Sequence, residues 1–186
     1  MTDWTLDHDG NQVLVARDSY QYRLRPKDEL WIPESKGAHS GIWWPIYGNI
    51  PVDEGEAKSM CEELIEHHLE ESALNRRVEY RQKGNRSHTP WGETQHMEVY
   101  AEGVAFHSTA SHGGFHLDAA HNAEVPESIR ANDGWYEEDC AWACVAIAFP
   151  ELFTAYERRH AEKTMERWYP EHWSEIKDII VNAPAP

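Results

Sequence analysis

Residues 97–117 read MEVYAEGVAFHSTASHGGFHL, and this stretch decides the fold. Val99, Ala101, Val104 and Phe106 are the apolar positions of a strand pair or a single long strand, with Glu102-Gly103 as the turn signal. Ser111-His112-Gly113-Gly114 is a tight loop, after which Phe115-His116-Leu117 resumes as a short strand. If the chain folds back on itself around that loop, His107 and His116 fall near each other. The spacing therefore predicts antiparallel pairing here.

On the N-terminal side, Val13 to Ala16, Tyr20 to Arg25 and Leu30 to Ile32 each read as a strand. Tyr20, Tyr22 and Leu24 alternate with Gln21, Arg23 and Arg25, the period of a half-buried strand. The aromatic run Trp43-Trp44-Pro45, bounded by Gly41 and Gly48, suits a packed loop or an edge strand, since Pro45 has no ladder donor. From Glu54 to about Leu74 the pattern turns helical, with Ala57, Met60, Cys61, Leu64 and His68 at three- and four-residue steps.

On the C-terminal side, Ala119 to Arg130 reads as a turn plus a short helix. Cys140 to Phe149 has no polar side chain, and its alanines favour a helix. Glu137, Glu138 and Asp139 precede it, and Pro150 ends or redirects it. A second helix is expected from Glu151 to Trp168 and a last one from Glu171 to Val181. The expected fold class is α+β, a small mostly antiparallel sheet packed against three to four helices. It forms one domain, residues 1–186, with a β-rich part over 1–50 and an acidic helix over 54–74.

Seventeen basic residues against thirty-three acidic ones leave a formal charge of −16. Such a chain repels phosphates, because nucleic-acid binding by counterion release needs clustered Lys and Arg; direct nucleic-acid contact is not expected. Basic surfaces are the complementary partners. No apolar run approaches the ~20 residues that span a bilayer, so no membrane partner is expected. Met1-Thr2-Asp3-Trp4 lacks the form of a signal peptide, and three cysteines argue against a disulfide framework; the expected location is cytoplasmic. The charge is uneven. Residues 51–72 hold eight carboxylates against Lys58, whereas 76–86 hold five basic side chains against Glu79. The two segments are expected to neutralise each other.

Twelve histidines are the main enrichment, and six of them fall between His88 and His121. His107, His112 and His116 are candidate metal ligands, although no spacing here is a zinc signature. The alternative is that they are exposed polar positions on strands. No cofactor is expected unless a divalent metal binds there. At Ser111-His112-Gly113-Gly114, paired glycines permit positive φ and close approach of a ligand to the backbone, and the hydroxyls of Ser108, Thr109 and Ser111 add donors. The competing reading is a tight turn closed on itself. Glu137-Glu138-Asp139 either complements the following helix dipole or turns Glu138 or Asp139 inward to form a general acid/base pair with His112. Cys140 is the better-placed thiol nucleophile, opposed by the three carboxylates beside it.

Thr89-Pro90-Trp91-Gly92, Tyr100-Ala101-Glu102-Gly103-Val104, Ser108-Thr109-Ala110-Ser111-His112-Gly113-Gly114-Phe115 and Gly134-Trp135-Tyr136-Glu137-Glu138-Asp139, in that order, carry a resemblance. The chain resembles an uncharacterised domain family of proteobacterial phages, plasmids and integrated elements, over residues 87–173. The acidic helix and the Trp43-Trp44 loop lie outside it. The family brings no activity and no catalytic role. What the resemblance implies is context: a cytoplasmic mobile-element protein used in conflict with host defences.

Two functional readings follow. In the first, the chain is an acidic inhibitor that binds a host defence component by occupying its basic nucleic-acid-binding surface, through Glu62, Glu63, Glu66 and Glu70 and the Ser111, Gly113, Gly114 loop. In the second, it is a small hydrolase or transferase, with or without a divalent metal, whose catalytic residues are His112, Glu138 and Asp139.

Overall fold

The computed structural model describes residues 4–15, 20–37, 41–46, 48–80 and 88–181. They adopt an α+β fold in two compact units, Met1–Glu71 and Ser72–Pro186. The single sheet expected from the sequence is two five-stranded antiparallel sheets and a separate two-stranded hairpin.

In the first unit, β1 (Thr5–Leu6), β2 (Gln12–Val15), β3 (Gln21–Lys27), β4 (Leu30–Lys36) and β5 (Trp44–Pro45) pair in chain order. The period-2 pattern of β3 is realised: Tyr22 and Leu24 are fully buried, while Arg23 and Arg25 reach the carboxylate of Glu34 at 2.6 and 2.9 Å. Trp44-Pro45 forms the edge strand, where a missing N–H costs no ladder bond. Tyr47, inside the aromatic run, lies outside the described residues. Helix α1 (Glu54–Ala73) follows. Its Ala57 and Cys61 are buried and its Leu64 and Ile65 are partly buried, all packing on Leu14, Tyr22 and Leu24. Glu62, Glu66, Leu69 and Glu70 are left to solvent.

The second unit contains β6 (Arg77–Tyr80), β7 (His88–Thr89), β8 (Gly92–Glu93), β9 (His96–Ala101), β10 (Val104–Ser108) and β11 (Gly113–Leu117). It continues with α2 (Ala119–Glu124), β12 (Trp135–Glu137), α3 (Trp142–Ala148), α4 (Ala155–Trp168) and α5 (Pro170–Val181). Its sheet runs β12-β11-β10-β9-β6. Residues 97–108 are thus a strand pair, turned by Gly103 at φ +83°. One face of this sheet, carrying Phe115, Leu117 and Tyr136, packs with Val145, Phe149, Phe153, Met165 and Trp173 in a single core.

The helix expected over 140–149 begins only at Trp142, and its N-cap, Ala141, makes no side-chain capping bond. The three carboxylates before it therefore do not cap it, since Glu137 ends β12 and Glu138 and Asp139 lie in the following turn. The next helix starts at Ala155 rather than Glu151. Pro150 opens a short 3-10 turn first, and Thr154 then closes a capping box with Glu157.

Of the basic segment's five cations, Arg76 and Arg77 lie within the described residues. Arg76 binds Glu157 of α4 through two bonds, at 3.1 and 2.7 Å, and Arg77 pairs with Glu79. Arg81, Lys83 and Arg86 lie outside the described residues. Among the described residues, no helix is long and apolar enough to cross a membrane.

Candidate functional site

Strand register builds the C-terminal site. Across β10, β11 and β12, His107, Gly114 and Glu137 form one row, and Ala105, His116 and Trp135 the next, both on the face away from the Phe106, Phe115 and Tyr136 row. His107 and His116 therefore do share a face, as diagonal neighbours with ring centroids 6.3 Å apart. Trp135 packs against both, edge-on to His107 at 5.2 Å and tilted against His116 at 4.4 Å. His107 is buried, with its Nδ1 3.2 Å from the Thr94 hydroxyl.

His112 is elsewhere, in the connection between β10 and β11. Its backbone is held by Thr109, whose hydroxyl donates to the His112 carbonyl at 2.6 Å and accepts the His112 N–H at 3.1 Å. The Thr109 oxygen is thereby engaged in closing the turn, and Ser111 beside it is exposed. The three histidines do not converge as a ligand set. His112 instead gathers with Glu137 and Glu138, one donor atom of each lying within 4.8 Å of the others.

The His112 Nδ1 is 3.8 Å from a Glu138 oxygen, with the two side chains 54% and 38% exposed. That separation is longer than a hydrogen bond and open to water, so any ion pair here is screened. Asp139, expected to face His112, does not join this group; its N–H donates to the Glu137 carboxylate at 2.8 Å.

Gly113 and Gly114 serve packing rather than conformation. Neither lies among the positive-φ glycines; both are strand residues that must lack a side chain. A Cβ at Gly113 would come within 2.7 Å of both Glu138 Oε2 and the Phe106 ring, and one at Gly114 would strike the Trp91 ring and approach the Tyr136 carbonyl oxygen to 2.5 Å. The groups that approach this backbone closely are the protein's own. Trp91, edge-on to Trp135 at 5.7 Å, covers Gly114.

A groove of about 500 Å3 opens on the same sheet, lined by Arg77, Met97, Val99, Ala105, His107 and His116 among others. His112, Glu137 and Glu138 are not in its lining. The acid/base candidates thus lie outside this groove.

Cys144, on α3, is buried, and burial pushes its thiol up to about 12, with Cys140 adding to the shift. The Cys140 sulfur sits 3.7 Å from the Tyr169 hydroxyl. Burial likewise raises the Tyr169 phenol. Cys140 precedes α3 by two residues in a turn, so it lacks the position within the first helical turn that activates a thiolate.

In the N-terminal unit, Glu62, Glu66 and Glu70 recur at four-residue steps along the exposed side of α1, and Glu63 is half-buried beside them. A second three-donor group, His67, His68 and Glu71, lies on the same helix. The sequence shows these three within five positions of one helix, and His67 and His68, which adjacent helix positions would make one buried and one solvated, are both half-buried.

A family model described as a domain of unknown function (DUF7007) matches residues 84–185. No curated protein and no solved structure matches the chain.

Proposed function

The chain belongs to the DUF7007 family of domains of unknown function, and we propose that it is an acidic protein of a mobile genetic element, phage or plasmid, that binds and inhibits a host defence component. It acts in the cytoplasm, and its partner is a basic, nucleic-acid-binding protein whose phosphate-binding surface α1 occupies. One observation carries this reading: the charge arrangement of α1 works against the helix itself. Glu62, Glu66 and Glu70 are like charges at i, i+4 spacing, each such pair costing about 0.2–0.5 kcal/mol. Glu70 stands in the last turns, where the macrodipole disfavours anions, whereas Glu54 at the start has Lys58 at 2.7 Å. A basic partner surface offsets the repulsion along the stripe.

The test uses the chain and a variant with Glu62, Glu63, Glu66 and Glu70 changed to Lys as baits in a proteobacterial lysate. The expected result is capture of a nucleic-acid-binding defence protein that is released at about 0.5 M salt, where screening is nearly complete. The variant bait should lose it, and the native chain should prevent its binding to DNA. Capture unchanged by salt or by charge reversal refutes the reading.

The convergence of His112, Glu137 and Glu138 supports a second reading, a small hydrolase or transferase with a divalent cation held between the carboxylates. Alanine at His112 and glutamine at Glu138 should then abolish activity while stability stays within about 1–2 kcal/mol. Loss of folding in both assigns the cluster to structure.

A further inference from the structure

We propose that His67, His68 and Glu71 on α1 form a binding site for a divalent first-row transition metal, separate from the His112 cluster and from the four-glutamate stripe. Positions 67, 68 and 71 place the carboxylate three and four residues beyond the two imidazoles, so one turn of helix brings all three together. One donor atom of each lies within 4.8 Å of the others. His67 Nε2 is 3.9 Å from Glu71 Oε2, and the two imidazole rings are 5.4 Å apart. All three residues are half-buried.

The feature that distinguishes this group from a chance cluster is the way His68 is held. Its Nδ1 is 2.8 Å from the hydroxyl of Tyr22, which is fully buried in β3. The ring of Tyr20 stacks on it at 4.2 Å. In the tautomer that donates Nδ1–H to that hydroxyl, Nε2 is the nitrogen that would ligate. Metal-ligating histidines are oriented this way, by a hydrogen bond from the nitrogen that does not ligate. His112 has no such support, and its Nδ1 faces Glu138 directly.

Two imidazoles and one carboxylate make a donor set that favours Zn2+, Ni2+ or Cu2+ over Mg2+ and Ca2+. Three protein ligands leave a fourth tetrahedral position for water or a partner side chain. Zn–N and Zn–O bonds of about 2.0–2.2 Å require donors about 3.3 Å apart. Glu71, whose side chain is 44% exposed, and His67 close that gap by rotation, while His68 stays fixed by Tyr22. The carboxylates along α1 raise the local cation concentration without being ligands.

Zn2+ is titrated calorimetrically into the full chain, and thermal melting is followed with and without it. One equivalent should bind and raise the melting temperature. His67→Ala and Glu71→Gln should each weaken binding by more than about tenfold. Tyr22→Phe, which removes only the orienting hydroxyl, should weaken it by about tenfold, and His8→Ala, at an exposed imidazole outside both clusters, should leave it unchanged. Glu71→Gln decides the matter should His67→Ala unfold. Absence of binding at about 100 µM Zn2+, undiminished binding by His67→Ala and Glu71→Gln, or an equal loss in His8→Ala overturns the site.

Discussion

Removing Glu157 should be among the most damaging single side-chain changes in the C-terminal unit. The Arg76 side chain is 6% exposed and Glu157 19%. The guanidinium makes two bonds to that carboxylate, donates to the Leu152 carbonyl at 2.6 Å and lies 4.0 Å from the Tyr100 ring centre. Burial, the largest single influence, would lower the Arg76 pKa, and the hydrogen bonds to Glu157 together with the charges of Tyr100, Glu157 and Glu98 outweigh it, so the net shift is upward. Glu157→Ala takes two charge-assisted bonds from this buried cation and leaves it the Leu152 carbonyl and the charge of Glu98, a change that costs about 2–4 kcal/mol. It also removes half of the capping box at Thr154, which adds about 1 kcal/mol.

The reverse deletion is milder. In Arg76→Met the carboxylate keeps the Thr154 N–H at 2.8 Å and its hydroxyl at 3.1 Å, and methionine refills the space over Tyr100. A cost of about 1–2 kcal/mol is expected. The double variant should cost about 2 kcal/mol less than the sum, because the cation that lost those two bonds has gone. Urea unfolding followed by tryptophan fluorescence and by far-ultraviolet circular dichroism gives all four free energies, with m held constant. A Glu157→Ala cost below about 1 kcal/mol, or additivity within about 0.5 kcal/mol, would show an ordinary solvated ion pair and refute the reasoning.

Two further outcomes follow from packing. Gly114→Ala should destabilise by about 1–3 kcal/mol, since Trp91 and the Tyr136 carbonyl both occupy the added methyl's space; equilibrium unfolding measures it, and a neutral result would mean that Trp91 does not cover this strand. Among the three cysteines, Cys140 should react fastest with a disulfide reagent at pH 8. Cys61 and Cys144, buried and both pushed up to about 12 with burial the main cause, should react only on unfolding. Thiol-counting with and without urea tests this, and rapid labelling of all three would contradict the buried packing.

Much of the C-terminal meander was legible because its cues are local. Glycine at a turn, alternation along a strand and proline at a helix end act through the backbone of a few adjacent residues, and Gly103, Trp44-Pro45 and Pro150 behave as such cues predict. The Thr154-x-x-Glu157 capping box was equally readable and sets the start of α4. The acidic stripe on α1 was legible too, since four-residue spacing on a helix fixes a common side.

What the sequence could not decide depended on register and on partners far along the chain. Whether Gly113 and Gly114 serve a ligand or the fold turned on Trp91, Phe106 and Glu138 arriving against them. Whether His112 meets Glu138 or Asp139 turned on where β12 ends, because both carboxylates lie in the turn that follows Glu137 and no strand alternation places them. Arg76 finds Glu157 eighty-one residues away, and His68 finds the buried hydroxyl of Tyr22 forty-six residues before it. Composition and spacing by themselves determined the fold class and the charge, both properties of neighbouring residues. Tertiary packing alone decided which histidines and carboxylates share a site, because convergence in space is set by sheet register and core packing rather than by distance along the chain.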